Sequence, residues 1–223
     1  MNLLEKALEY IFLPSCGVCG KLGEGYLCKK CGKILEKYTI CSNDYRNLDV
    51  NNIKSINSDI DRLHIFQYKE LIRKLIIQYK FNNKSYLYKT FCEFIVKNKK
   101  AFDFIKSYDI IIPVPMHNKK KALRGYNQSE LIAKELAKKA EIEIFTDVLK
   151  KVKNNKVQSS LNKEDRKNNV KDVYKLINKE KIYNKKVLIF DDIYTTGATI
   201  EACKKEILKA NVKQFGILTL AKD

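Results

Sequence analysis

The sequence has no run of apolar residues long enough to cross a bilayer. Its first fourteen residues contain Leu3, Leu4, Ala7, Leu8, Ile11, Phe12 and Leu13, but Glu5, Lys6 and Glu9 interrupt them. The stretch therefore lacks the unbroken apolar centre of a signal peptide, and its spacing predicts an amphipathic helix. Arginine is scarce: Arg46, Arg62, Arg73, Arg124 and Arg166 are the only five, although Lys and Arg together number 44. The two histidines, His64 and His117, stand in no metal-binding pattern and receive no role. The seven cysteines are an odd number without an export signal, so disulfides are not expected. A cytoplasmic protein without a transmembrane segment is the expectation.

What is present is a globular composition, with 45% hydrophobic and 31% charged residues over 223 positions. The formal net charge of +18 has two readings. A surface this basic attracts nucleic acid or anionic lipid, the second being a route to membrane association. Lys-dominated basicity alongside abundant Asn and Ile is equally the mark of AT-rich coding bias.

Three regions divide the chain. Residues 1–45 hold the N-terminal helix and five of the seven cysteines. Residues 46–60 are rich in Asn, Asp and Ser and read as a linker. Residues 61–223 alternate strand and helix patterns. Strands are expected at 63–68, 109–113, 142–148, 187–190 and 215–221, with helices at 71–79, 86–97, 129–140 and 199–209. Asn127 with Glu130 forms a capping-box pattern. This alternation predicts an α/β fold, a parallel sheet covered by helices on both faces.

Cys16-Gly17-Val18-Cys19-Gly20 and Cys28-Lys29-Lys30-Cys31-Gly32 are matching knuckles. Each CxxC turn can place two thiolates on one ion, and the following Gly permits a tight turn. Cys16, Cys19, Cys28 and Cys31 would then complete a tetrahedral site with no open position, which is structural zinc. An iron–sulfur cluster or a redox dithiol is the alternative. Cys41 lacks the second cysteine of a third knuckle and reads as a spare thiol; Cys92 and Cys203 sit in helix patterns as core residues.

The segment Val187-Leu188-Ile189-Phe190-Asp191-Asp192-Ile193-Tyr194-Thr195-Thr196-Gly197-Ala198-Thr199 is the richest in chemistry. A buried strand ends at two carboxylates, and a hydroxyl-rich turn then opens a helix. The backbone of Thr195, Thr196, Gly197, Ala198 and Thr199 could cradle a phosphate at the positive helix end. Acidic residues beside an anion site make sense if they take a sugar diol or a magnesium ion between ligand oxygens. An ATPase strand is the competing reading, but neither G-x-x-x-x-G-K-[ST] nor G-x-G-x-x-G occurs.

Phe190-Asp191-Asp192-Ile193-Tyr194-Thr195-Thr196-Gly197-Ala198-Thr199 resembles the 5-phosphoribosyl 1-pyrophosphate (PRPP) motif of type I phosphoribosyltransferases. Pro113-Val114-Pro115, Arg124-Gly125-Tyr126-Asn127-Gln128, Gln78-Tyr79-Lys80-Phe81, Gln158, Arg166, Asn169-Val170 and the CxxC pair together resemble the ComF (ComFC) family. Asp44 departs from it, standing where many members carry a further cysteine. The resemblance implies a phosphoribosyltransferase-like fold and a role in natural competence. It also implies magnesium-bound PRPP as ligand, and single-stranded DNA and a competence helicase as partners. On this basis Asp191 and Asp192 would hold the ribose hydroxyls, and Thr195 to Thr199 the 5-phosphate. The Pro113, Val114 and Pro115 turn would lie along the pyrophosphate, with charge from Lys119, Lys120, Lys121 and Arg124. Residues 150–172 would close over the site. Purine-salvage enzymes resemble this loop but carry an Asp at the position of Thr195, acting as base; Thr195 cannot do that, which disfavours purine salvage.

Residues 147–186 hold an excess of basic over acidic side chains, and Tyr68, Tyr79, Phe81, Tyr86 and Tyr88 lie among Arg73, Lys74, Lys80, Lys84 and Lys89. Such interleaving can stack bases and track a single strand. The favoured reading is plainer: Tyr79 and Phe81 belong to the core and the lysines are solvated. Two functions follow, a phosphoribosyltransferase of unknown acceptor, or a non-catalytic DNA-binding accessory protein that keeps the phosphoribosyl pocket.

Overall fold

A computed structural model describes residues 13–40, 60–82, 84–153 and 173–223. The N-terminal amphipathic segment, Cys41, Asp44, the linker up to residue 59, and Gln158, Arg166, Asn169 and Val170 lie outside the described residues. In chain order the elements are α1 (Lys29–Glu36), β1 (Asp61–Gln67), α2 (Glu70–Phe81), α3 (Leu87–Lys97), α4 (Lys99–Lys106), β2 (Ile110–Pro113), α5 (Asn118–Arg124) and α6 (Gln128–Ala140). They continue with β3 (Glu143–Ile144), β4 (Leu149–Lys151), β5 (Tyr174–Leu176), β6 (Lys186–Tyr194), α7 (Ala198–Ile207) and β7 (Gln214–Lys222).

Five strands form a wholly parallel sheet in the order β1-β7-β6-β2-β3. Alternation along each strand sends apolar residues to both faces, as a doubly covered sheet requires. Ile111, Leu188, Phe190, Leu218 and Leu220 join one core with residues of α2, α3, α4 and α6. Ile110, Ile112, Val187, Ile189 and Ile217 join a second with α7 and the β4–β5 hairpin. Cys92 and Cys203 are buried, one in each core.

The structure departs from the periodicity in three places. Strand β6 runs past Phe190 to Tyr194, because β7 continues beside it and pairs Tyr194 with Lys222. The strand expected over 142–148 pairs with β2 only at Glu143–Ile144. Its partner is four residues long and ends at Pro113, and the chain leaves instead for a separate antiparallel hairpin, β4 with β5. Two helices, α4 and α5, are too short, at 8 and 7 residues, for the sequence pattern to mark them out: α4 buries Ala101 and Ile105, and α5 buries none. Caps hold them. The Asn98 side chain accepts from Ala101 N–H at 3.0 Å, and α5 ends at Gly125 in the left-handed region.

The cysteine segment is docked on α3 and on the edge strand. Thr90 donates its hydroxyl to the Tyr26 carbonyl, and Glu93 accepts from Tyr26 N–H at 2.8 Å. Ile40 N–H reaches the carbonyl of Ile65, and Thr39 bridges Phe66, so the outer edge of β1 is partly covered.

Candidate functional site

The chain passes from β2 to β3 on one side, then returns as β6 on the other side of β2. The carboxyl ends of β2 and β6 therefore flank a topological switch point, where open α/β sheets take their ligands. Pro113 pairs with Phe190 across this point, and the next residue on each strand starts the crevice. Val114 N–H donates to the Phe190 carbonyl at 2.8 Å, and Asn127 Nδ2 donates to the Val114 carbonyl at 3.1 Å. The turn Pro113, Val114 and Pro115 is thus pinned from both sides. Val114 is itself a core residue, so what this turn offers a ligand is backbone.

Because β6 continues through them, Asp191 and Asp192 project to opposite sides of the strand. Asp191 accepts from the Ser129 hydroxyl at 3.2 Å and from Asp192 N–H at 2.9 Å. Burial, and then the charge of Asp192, push the Asp191 carboxyl up to about 7, against the pull of the Asp192 N–H, Lys80 and Ser129. Asp192 pairs with Lys80 of α2, whose Nζ lies 2.9 Å from both carboxylate oxygens. These carboxylate and hydroxyl oxygens are hard donors, the kind that suits a ligand carrying magnesium.

Beyond Tyr194 the backbone turns through Gly197, which caps α7 at φ 74°. A Cβ there would also sit 2.4 Å from the Tyr194 hydroxyl, so glycine is required on both counts. Thr195 and Thr196 are exposed, Ala198 and Thr199 half-buried. At this helix start Ala198 N–H donates to Thr196 Oγ1 at 3.5 Å, a long contact that an anion at the positive end of α7 would replace.

The hairpin walls the other side. A cavity of about 120 Å³ lies between Pro113, Pro115, Asn118, Thr146, Lys150 and Lys151. Lys151 stands 5.3 Å from the Tyr174 ring centroid; burial and the neighbouring Lys120 lower its pKa, while Cys203 and Asp191 work the other way. Lys119 and Lys120 are exposed on α5, Lys121 pairs with Glu130 at 2.9 Å, and the Arg124 guanidinium lies 5.0 Å over the Phe81 ring. Phe81 is 67% exposed, which corrects its expected place in the core: it ends α2, past the stripe of Ile72, Leu75, Ile76 and Tyr79. Tyr79 is fully buried as expected. Nothing in the sequence pointed to Ser129; Lys151 read only as one lysine of the basic loop, and Lys80 as a solvated cation. Lys80 is in fact largely buried on Asp192, and Lys151 is half-buried in the crevice wall.

At the other end of the molecule the Sγ atoms of Cys16, Cys19, Cys28 and Cys31 lie within 4.8 Å of one another, with 3.8 Å between Cys19 and Cys28. Tetrahedral zinc with sulfur ligands calls for a separation of about 3.8 Å, so the donor set fits structural zinc. Gly20 takes φ 79° after the first knuckle, whereas the second opens α1 with Cys28 as N-cap and needs no such turn. Burial opposes charge on Cys16, but hydrogen bonds from the backbone of Cys28, Cys19 and Val18 outweigh it and bring the thiol down to about 7. Burial pushes the Cys31 thiol up.

Comparison with known proteins gives a phosphoribosyl transferase domain over residues 127–223. The chain is 27% identical to competence protein F of Haemophilus influenzae over 88% of this chain and 90% of that protein. It is 31% identical to competence protein ComFC of Streptococcus pneumoniae over 71% of this chain and 66% of that protein. To competence protein ComFC of Bacillus subtilis it is 22% identical, over 87% of this chain and 78% of that protein.

Proposed function

Because the chain belongs to the ComF (ComFC) family and carries a phosphoribosyl transferase domain, we propose that its switch-point crevice binds magnesium-bound PRPP in the service of natural competence. The observation that carries this reading is the adjacency of two opposite chemistries on one strand. Asp191 and Asp192 offer acceptors for a ribose diol, and three residues later the Thr195 to Thr199 turn offers donors for a 5-phosphate at the start of α7. The turn at Pro113, Val114 and Pro115 borders the same crevice and would lie along the pyrophosphate. Magnesium would supply charge neutralisation between the pyrophosphate oxygens, with the Asp191 and Asp192 carboxylates beside it.

In the enzymatic form of this reading, pyrophosphate leaves C1 of the ribose as an acceptor atom attacks it. The developing positive charge at C1 is stabilised by carboxylates that are already in place. The chain's own part is to bind, to orient and to keep water out beneath the β4–β5 hairpin. Calorimetric titration of the zinc-loaded protein with PRPP and magnesium tests the binding. Saturable binding of one ligand per chain is expected; absence of heat across the accessible range contradicts it. Pyrophosphate release with candidate acceptors then separates a transferase from a ligand-binding protein.

A second reading has its own observation. Phe81 at 67% and Tyr86 at 45% exposure, with Arg124 over the Phe81 ring, give a cation–aromatic surface suited to unpaired bases. Single-stranded DNA bound there would be an accessory activity of the same domain.

A further inference from the structure

Lys80 is held in place by its neighbours. Tyr79 donates its hydroxyl to the Gln128 carbonyl at 2.9 Å, and Tyr126 donates to the Tyr79 carbonyl. The Tyr79 and Tyr126 rings lie 5.9 Å apart, and Arg124 caps the ring of Phe81. Residues 79 and 81 are thus both fastened to the segment 124–128, which also anchors the β2 turn through Asn127. Between them, Lys80 extends onto Asp192, where its Nζ lies 2.9 Å from both oxygens with the pair largely shielded from water. A lysine fastened this firmly to a carboxylate at the mouth of an anion-binding crevice is more than a surface cation.

We infer that Lys80 is a positioning residue for the phosphoribosyl site: a built-in countercation that holds the Asp192 carboxylate in orientation and offsets its charge, so that a polyanionic sugar phosphate can enter. This rests on the reading of the crevice as a PRPP site. Two carboxylates on consecutive residues at the crevice mouth repel a ligand carrying several phosphate charges. Magnesium brought in with the ligand offsets that repulsion, but only when it is plentiful. With Lys80 fixed on Asp192, one of the two charges is already answered before the ligand arrives. The lysine therefore lowers the dependence of binding on free magnesium rather than making a uniform contribution to it. Magnesium and Lys80 are partly interchangeable on this account.

The test is calorimetric titration of PRPP into the full-length zinc-loaded wild type, K80M and K80R, over a range of magnesium concentrations, with thermal melts to establish that each variant is folded. At low magnesium K80M is expected to bind at least about tenfold more weakly than wild type, with the gap closing as magnesium rises, because the missing charge is then supplied by the ion. K80R, which keeps the charge, is expected to follow the wild-type magnesium dependence. Equal affinity of K80M and wild type at low magnesium overturns the inference, and so does a loss of the same size at every magnesium concentration, which marks a packing role. If the wild type binds no PRPP at any magnesium concentration, the reading of the crevice itself fails, an outcome distinct from both.

Discussion

The Thr90 hydroxyl donates to the Tyr26 carbonyl at 2.9 Å, and so ties the cysteine segment to α3 of the sheet-bearing region. Gly17 lies against the same helix so closely that a Cβ would meet Thr90 Oγ1 at 2.2 Å. The segment therefore docks through the first knuckle itself, at Gly17, and through Tyr26 between the two knuckles. Metal analysis should give one zinc per chain. Cys16→Ser and Cys28→Ser should each lose the metal and speed hydrogen exchange across residues 13–40 and α3, since the apolar burial of so small a segment does not fold it alone. Unchanged exchange in a metal-free preparation would contradict this.

A pH dependence follows from Asp191. Its folded-state pKa, about 7, stands above the ordinary 3.8. Between those values the folded state keeps a proton that the unfolded state has lost, so the free protein loses stability as pH rises through this window. Wild type should fall relative to Asp191→Asn by up to about 1.4 kcal/mol per pH unit there, for one proton. Ligand binding runs the other way: the ionised carboxylate accepts sugar hydroxyls, so PRPP affinity should rise toward and through pH 7 in wild type. The same titration on Asp191→Asn corrects for the ligand's own phosphates. Chemical melts from pH 5 to pH 8 with parallel slopes for the two proteins would show that Asp191 titrates elsewhere.

The sequence made the parallel sheet, the two knuckles and the acidic turn legible because each is a local signal. Val187 to Phe190 is continuously apolar, CxxCG recurs within a few residues, and Gly197 must follow a hydroxyl-rich turn into a helix. What it hid depends on partners distant along the chain. Strand β6 extends over Asp191 and Asp192 only because β7 runs beside it, and that extension splits the two carboxylates to opposite sides. Lys80 lies 112 positions from Asp192, and although Gln78-Tyr79-Lys80-Phe81 matched the family pattern, nothing local showed which group the lysine meets. The Asn127 cap was visible, and its side chain does accept from Ser129 N–H at 3.1 Å. Its expected partner Glu130 instead bonds Lys134, an i,i+4 pair within α6 that the spacing does show, and Lys121, which needs α5 to be known first. Phe81 was misjudged because an aromatic two residues past Tyr79 at a helix end cannot be told from core by composition alone.

The cation–aromatic surface predicts sequence-independent binding of single-stranded DNA, weakening with salt by about 0.7 logarithmic units per neutralised phosphate. Phe81→Ala should cost roughly 1–3 kcal/mol of that binding through lost stacking, without changing the salt slope. Replacing Lys150, Lys151, Lys153 and Lys156 by Gln should flatten the slope by roughly one to three units if these lysines touch phosphates. Fluorescence anisotropy with a labelled oligonucleotide at several salt concentrations reads both effects. No binding at physiological salt, or slopes and affinities untouched by either change, would leave the net charge of +18 to coding bias.

The claim on which the account turns is that Asp191 and Asp192 receive the ribose of PRPP. The most direct measurement is the dissociation constant for PRPP with saturating magnesium in wild type and in the double variant Asp191→Asn, Asp192→Asn, with circular dichroism to establish that the fold is kept. The account predicts a folded double variant whose binding is weaker by about 100-fold or more, since two charge-assisted hydrogen-bond acceptors are lost at once. A folded double variant that binds PRPP with the wild-type dissociation constant would contradict it and place the ribose site elsewhere.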